Sequence, residues 1–133
     1  MMGDTPERAL AEAEVWLEGA KKTLKHGGEG SANVCCAQAI HGIIRTNDAL
    51  ALKFLGEKST RHDDLPFLFR KMLKQNKIKS EERKFEPMLV KAMTSKSGAD
   101  YGKSDFSRTD AKLFVKEAEE FIKMAKKYIE GEA

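Results

Sequence analysis

Cys36, Ile40, Ile43, Asn47, Leu50 and Phe54 follow one another at steps of four, three, four, three and four residues. A seam of that spacing is buried only on a long helix that packs along its whole length. Elsewhere the chain has no stretch alternating apolar and polar residues with a period of two, so strands are not expected. Thr5-Pro6 opens an earlier helix, with Thr5 as N-cap and Pro6 where its missing N–H costs nothing. Leu10, Ala13, Leu17, Ala20 and Leu24 mark its buried stripe and His26-Gly27-Gly28 ends it. Ser31 is the candidate cap of the seam helix, and Gly56 closes it.

After a polar loop over 57–64, Leu65, Leu68, Phe69, Met72 and Leu73 form a short amphipathic helix, capped by Asp63 or Asp64. A fourth begins near Ser80-Glu81-Glu82, with Phe85, Met88, Leu89, Ala92 and Met93 on its apolar side and Pro87 confined to its first turns. From Thr94 to Ser107 the period fails, and this stretch reads as the longest loop. Ser107 or Thr109 caps the last helix, whose Phe114, Ala118, Phe121, Ile122, Ala125 and Ile129 share a face. The expected fold is all-α: an antiparallel up-and-down bundle of about five helices, three long and two short, in one domain over 1–133.

Composition narrows the function classes. Hydrophobic residues at 41% are too many for a disordered chain, and charged residues at 34% interrupt any membrane span. The first thirteen residues mix acidic, basic and apolar side chains, unlike a signal peptide, so a cytoplasmic location is expected. Cys35 and Cys36 are adjacent on a helix and badly placed to bridge each other; they read as small core residues. Two cysteines and three histidines fit no zinc spacing. His62-Asp63-Asp64 does not make a metal triplet, because three successive residues rarely face one ion. Neither a metal nor a cofactor is expected.

Charge is uneven. Residues 1–55 carry six basic and seven acidic side chains, residues 56–103 twelve and seven, and residues 104–133 six and seven, giving −1, +5 and −1. Arg70, Lys71, Lys74, Lys77, Lys79, Arg83 and Lys84 concentrate the excess, either as a solvated helix surface or as a patch for phosphate or an acidic partner.

On the seam helix Gln38, His41, Arg45 and Asp48 form a polar stripe at steps of three, four and three. A histidine, an arginine fork and a carboxylate together suit a phosphate or a nucleobase, and equally suit an ion pair within the helix. Asn47, inside the seam, fits a single register-setting hydrogen bond. Lys96-Ser97-Gly98-Ala99-Asp100-Tyr101-Gly102-Lys103 combines cations, an acid and a ring with two glycines, but lacks the order of a phosphate-binding loop. No Ser or Cys has an evident base and orienter. The residue chemistry favours a binding module over an enzyme.

Three stretches together resemble the HEPN domain family. Ser31–His41 is similar to that family's alanine–tyrosine–tyrosine–alanine run leading to a histidine, with Cys35-Cys36 in place of the aromatic pair. Arg61-His62-Asp63-Asp64-Leu65 resembles its threonine–histidine segment, and Gly98-Ala99-Asp100-Tyr101 with the last helix resembles its alanine–aspartate–tyrosine turn. The resemblance runs in order from Pro6 to Ile129. It implies a bundle that commonly dimerises, often beside a minimal nucleotidyltransferase in toxin–antitoxin pairs, and in many members acts as a metal-independent ribonuclease.

The family's catalytic arginine and histidine fall at Lys96 and Tyr101. Tyrosine titrates near 10 and is a poor base at neutral pH, and lysine lacks the bidentate grip of a guanidinium. The resemblance therefore implies a homodimer that binds a nucleotide, RNA or a nucleotidyltransferase partner through His41, Arg45, Lys96, Asp100 and Tyr101, without being a ribonuclease alone. Two alternatives stand beside it. One is an active ribonuclease with a degenerate motif, and the other a structural adaptor docking an acidic partner on the basic patch.

Overall fold

The structure is a computed structural model that describes residues 3–60, 64–101 and 105–131, with the backbone alone at Tyr101. The readings placed on Arg61, His62, Asp63, Gly102 and Lys103 lie outside the described residues.

Five α-helices follow in order: α1 (Pro6–His26), α2 (Ser31–Leu55), α3 (Leu65–Lys74), α4 (Glu86–Tyr101) and α5 (Arg108–Ile129), with a 3-10 segment over Ser80–Phe85 leading into α4. No strand occurs among the described residues. The fold is the all-α bundle that the periodicity implies, with 21, 25 and 22 residues in the long helices α1, α2 and α5.

Local chemistry sets the helix ends. Thr5 Oγ1 accepts the Arg8 N–H at 3.1 Å, while Pro6 opens α1. Thr5→Ala is expected to lose about 1 kcal/mol of stability, and Thr5→Ser to keep most of it, in urea unfolding. Ser107 closes a reciprocal capping box at the start of α5: its hydroxyl accepts the Asp110 N–H at 3.0 Å and the Asp110 carboxylate accepts the Ser107 N–H at 2.9 Å. Ser31 is not the cap of α2. Gly30 holds that position at φ 81°, a conformation that disfavours a side chain, and Ser31 becomes the first helical residue.

The fourth helix differs from its expectation at both ends. Ser80–Phe85 winds as a 3-10 segment, and α4 begins at Glu86 so that Pro87 falls in the first turn. At its far end α4 runs through Thr94–Tyr101, the stretch expected to be a loop. Two serines and a glycine there are poor helix formers. Tertiary contact overrides them: Ala92 and Ala99 continue the buried face, and Lys96 pairs with Asp100 one turn on.

Helix α2 is the axis of the bundle, since each of the other four helices contacts it. Cys36, Ile40, Ile43, Asn47 and Leu50 are wholly buried along it, as the seam requires. Gly42 lets α1 come close: a Cβ there would lie 3.3 Å from the Ala13 carbonyl oxygen and 3.5 Å from Trp16 Cβ. Phe121 of α5 meets Phe69 of α3 and Phe85, with ring centroids 6.0 and 5.3 Å apart, which fastens the short elements to the long ones. Asn47 Nδ2 donates to the Leu65 carbonyl at 3.2 Å, tying the start of α3 to α2. Asn47 Oδ1 is buried without a hydrogen-bond partner.

Candidate functional site

The polar stripe of α2 divides between two networks. In the first, all three guanidinium nitrogens of Arg45 face carboxylates. Nη2 donates to both Asp4 oxygens at 3.0 Å, Nε to Glu12 at 2.9 Å and Nη1 to Asp48 at 2.9 Å. Lys58 reaches the same Asp4 at 2.9 Å, and the second Asp48 oxygen accepts the Ser59 N–H and hydroxyl. Burial pushes the Asp4 carboxyl up, but hydrogen bonds from Lys58 and Arg45 outweigh it and hold Asp4 below the usual carboxylate range. Arg45 thus closes the chain ahead of α1 and the loop after α2 onto the bundle. A phosphate at Arg45 has to displace one of these acids.

The second network gathers three of the sequence-selected residues. His41 Nε2 lies 3.2 Å from Asp100 Oδ1, and Lys96 Nζ donates to Asp100 Oδ2 at 2.7 Å. The extension of α4 produces this meeting, because Lys96 and Asp100 share a helical face that turns toward α2. Burial raises the Asp100 carboxyl, yet the Lys96 hydrogen bond and the neighbouring His41 and Lys96 charges prevail and hold it below its ordinary value. Its contribution to stability is present above the unfolded value of about 3.9 and is lost as pH falls through the depressed native one. Tyr101 ends α4, and its side chain lies outside the described residues.

Trp16 of α1 completes the arrangement, and sequence reasoning missed it. Its ring stacks on the His41 imidazole with centroids 4.7 Å apart and planes 22° apart, and Trp16 remains 38% exposed. Trp16 stands off the buried stripe of α1, so no local spacing singled it out. Gln38, one turn from His41, buries its Oε1 without a hydrogen-bond partner. The result is a half-open aromatic surface beside an imidazole, an ammonium and a carboxylate, spread over three helices.

The seven residues of the basic patch are not equivalent. Arg70 pairs with Glu86 at 2.8 Å, Lys71 with Glu57 at 2.8 Å, and Arg83 approaches Glu86 at 3.9 Å. Lys84 lies over the Phe85 ring, 5.5 Å from its centroid. Lys74, Lys77 and Lys79 are exposed and have no carboxylate partner among the described residues.

Cys35 and Cys36 are free and buried; burial pushes the Cys36 thiol up to about 12, far from a reactive thiolate. Among the described residues no three His, Cys, Asp or Glu side chains gather as a metal site. No helix among them is long and apolar enough to cross a membrane.

An all-α bundle with a polar cluster between its second and fourth helices is the class this geometry defines. A family model for the HEPN domain matches residues 6–128, nearly the whole chain. The chain belongs to the HEPN domain family, whose functions are related to nucleotides and RNA. No curated protein matches it significantly.

Proposed function

We propose that this chain binds a nucleotide or an RNA segment on the face shared by α1, α2 and α4, as a homodimer serving a nucleotidyltransferase-type partner, in a pair of the toxin–antitoxin kind. The observation that carries the binding site is the His41–Asp100–Lys96 cluster under the stacked Trp16 ring. A base stacks on an exposed aromatic face, and a phosphate takes the place of Asp100 beside the Lys96 ammonium. Arg45, one turn along α2 from His41, borders the same face, and Tyr101, the residue after Asp100, is assigned to the site with it. Calorimetric titration with ATP tests this. Lys96→Ala and Trp16→Ala are each expected to weaken binding about tenfold, a stacked base being worth roughly 1–3 kcal/mol. Unchanged affinity in both variants contradicts the site.

One observation favours a second reading. The 3.2 Å contact of His41 with Asp100 gives a potential acid–base an orienting carboxylate, and Lys96 stands where negative charge would need stabilising. In that reading the chain cleaves single-stranded RNA without metal, and both His41→Ala and Lys96→Ala abolish cleavage. Intact RNA after incubation with the pure protein in chelator removes it.

A further inference from the structure

A second cleft lies far along the bundle from His41. Its nearest α2 residue, Phe54, is 13 positions on, about 20 Å of helix at 1.5 Å per residue. Here α3 ends, and Asn76 turns the chain back in a left-handed conformation at φ 58°. The following segment is anchored inward by the buried Ile78, so the flanking Lys77 and Lys79 stand outward. Phe54 and Tyr128 form the other wall, edge to face with centroids 6.1 Å apart. The Tyr128 hydroxyl is fixed, accepting the Lys79 N–H at 3.1 Å and donating to Glu82 at 2.9 Å. The cleft is open to solvent, with a volume of about 490 Å³, and Glu82 reaches the Tyr128 hydroxyl without joining its lining.

The cations explain why this cleft differs from the rest of the patch. Arg70, Lys71 and Arg83 are occupied by Glu86 and Glu57, whereas Lys77 and Lys79, with Lys74 at the end of α3, keep their charge available. A larger groove beside it, about 560 Å³, is lined by four carboxylates against three lysines, with Glu117 paired to Lys91, and so holds no excess of positive charge for an anion. Glu81 and Glu82 belong to that groove and directly follow Ser80, so positive potential stops at the rim of the cleft. A long polyanion, with a charge on every nucleotide, meets this acidic border. A ligand with two or three charges around one apolar group does not.

We infer that the cleft between Phe54, Tyr128 and the Lys77–Lys79 segment docks an acidic peptide segment of a protein partner, with an apolar side chain seated against the two rings and carboxylates on the lysines. This interaction is independent of the nucleotide site and of what binds there.

The test uses the full chain, 15N-labelled, and a synthetic ten-residue peptide carrying three glutamates around one phenylalanine. Amide shifts over Asn76–Ser80 and at Tyr128 are expected, weakening steeply as salt rises because exposed charges are screened. Lys77→Glu with Lys79→Glu should reduce affinity at least tenfold while the melting curve stays that of wild type, both side chains being exposed. Replacing the peptide's phenylalanine by alanine should also weaken it about tenfold. Shifts that persist in the double variant, or that ignore loss of the phenylalanine, overturn the inference. So does an oligouridylate of equal length moving these amides at lower concentration than the peptide, or a peptide that moves none of them. His41→Ala leaves peptide binding intact, which separates this cleft from the first site.

Discussion

Arg45→Ala loses about 3 kcal/mol of folding stability, in the range for breaking a partly or wholly buried ion pair by removing one partner. The side chain of Arg45 is 17% exposed and that of Asp48 only 6%. Deleting the guanidinium leaves Asp48 and Asp4 desolvated with fewer donors, Ser59 and Lys58 being all that stays nearby. In a thermal melt the loss is about 10–15 °C at this chain length. Arg45→Lys falls between, since an ammonium keeps the charge but does not span three carboxylates. The pH dependence has a fixed sign. Asp4 is held below its unfolded value of about 3.9, so its contribution is full above that value and fades as pH falls through the native one. Without Arg45 that acid-side loss shrinks, and variant and wild type converge at low pH. Equal stabilities at neutral pH contradict the hub.

Asn47→Asp has an effect of similar or larger size, and its deficit too grows with pH, here because a new carboxyl is raised rather than because a native one is depressed. Asn47 is wholly buried, and its Nδ2–H meets the Leu65 carbonyl. A carboxylate there points charge at a carbonyl oxygen in a core where even the existing Oδ1 finds no partner. The cost is about 3–5 kcal/mol near neutral pH, as for an uncompensated buried charge. Burial raises the new carboxyl above 3.9, so the protonated form, which donates to Leu65, limits the loss at low pH, and the deficit grows as pH rises through the unfolded value. Urea unfolding of variant and wild type between pH 4 and pH 7 measures the difference. A deficit that does not change with pH excludes this account of Asn47.

The elements of the bundle were legible because burial wrote them at regular spacing. The seam of α2 and the stripes of α1 and α5 are continuous, and Thr5, Gly56 and Ser107 sit where their chemistry demands. The extension of α4 was not legible. Ser95, Ser97 and Gly98 carry weak local preference, and what holds them helical is tertiary: the buried Ala99 and the contact of Asp100 with His41, 59 positions away in sequence. The site shows the same division. His41, Lys96 and Asp100 were singled out by residue type, but their meeting depends on that helix. Arg45 shares a stripe with His41, yet its acids Asp4 and Glu12 come from α1 and the residues before it, which no α2 spacing reveals. Trp16 escaped because a ring on an exposed helix position has no local pattern, and the free lysines of the patch are distinguished from the paired ones only by where Glu57 and Glu86 fold.

The central claim is that the Trp16–His41–Lys96–Asp100 face receives a nucleotide unit. A titration of the 15N-labelled full chain with ATP and with a short single-stranded RNA, followed by NMR and by gel in the same tubes, tests it most directly. The account predicts shifts concentrated at the Trp16 indole, His41, Lys96 and Asp100, needing about tenfold more ligand in Lys96→Ala, with the RNA intact. No shift at these positions with either ligand, at concentrations up to millimolar, contradicts it.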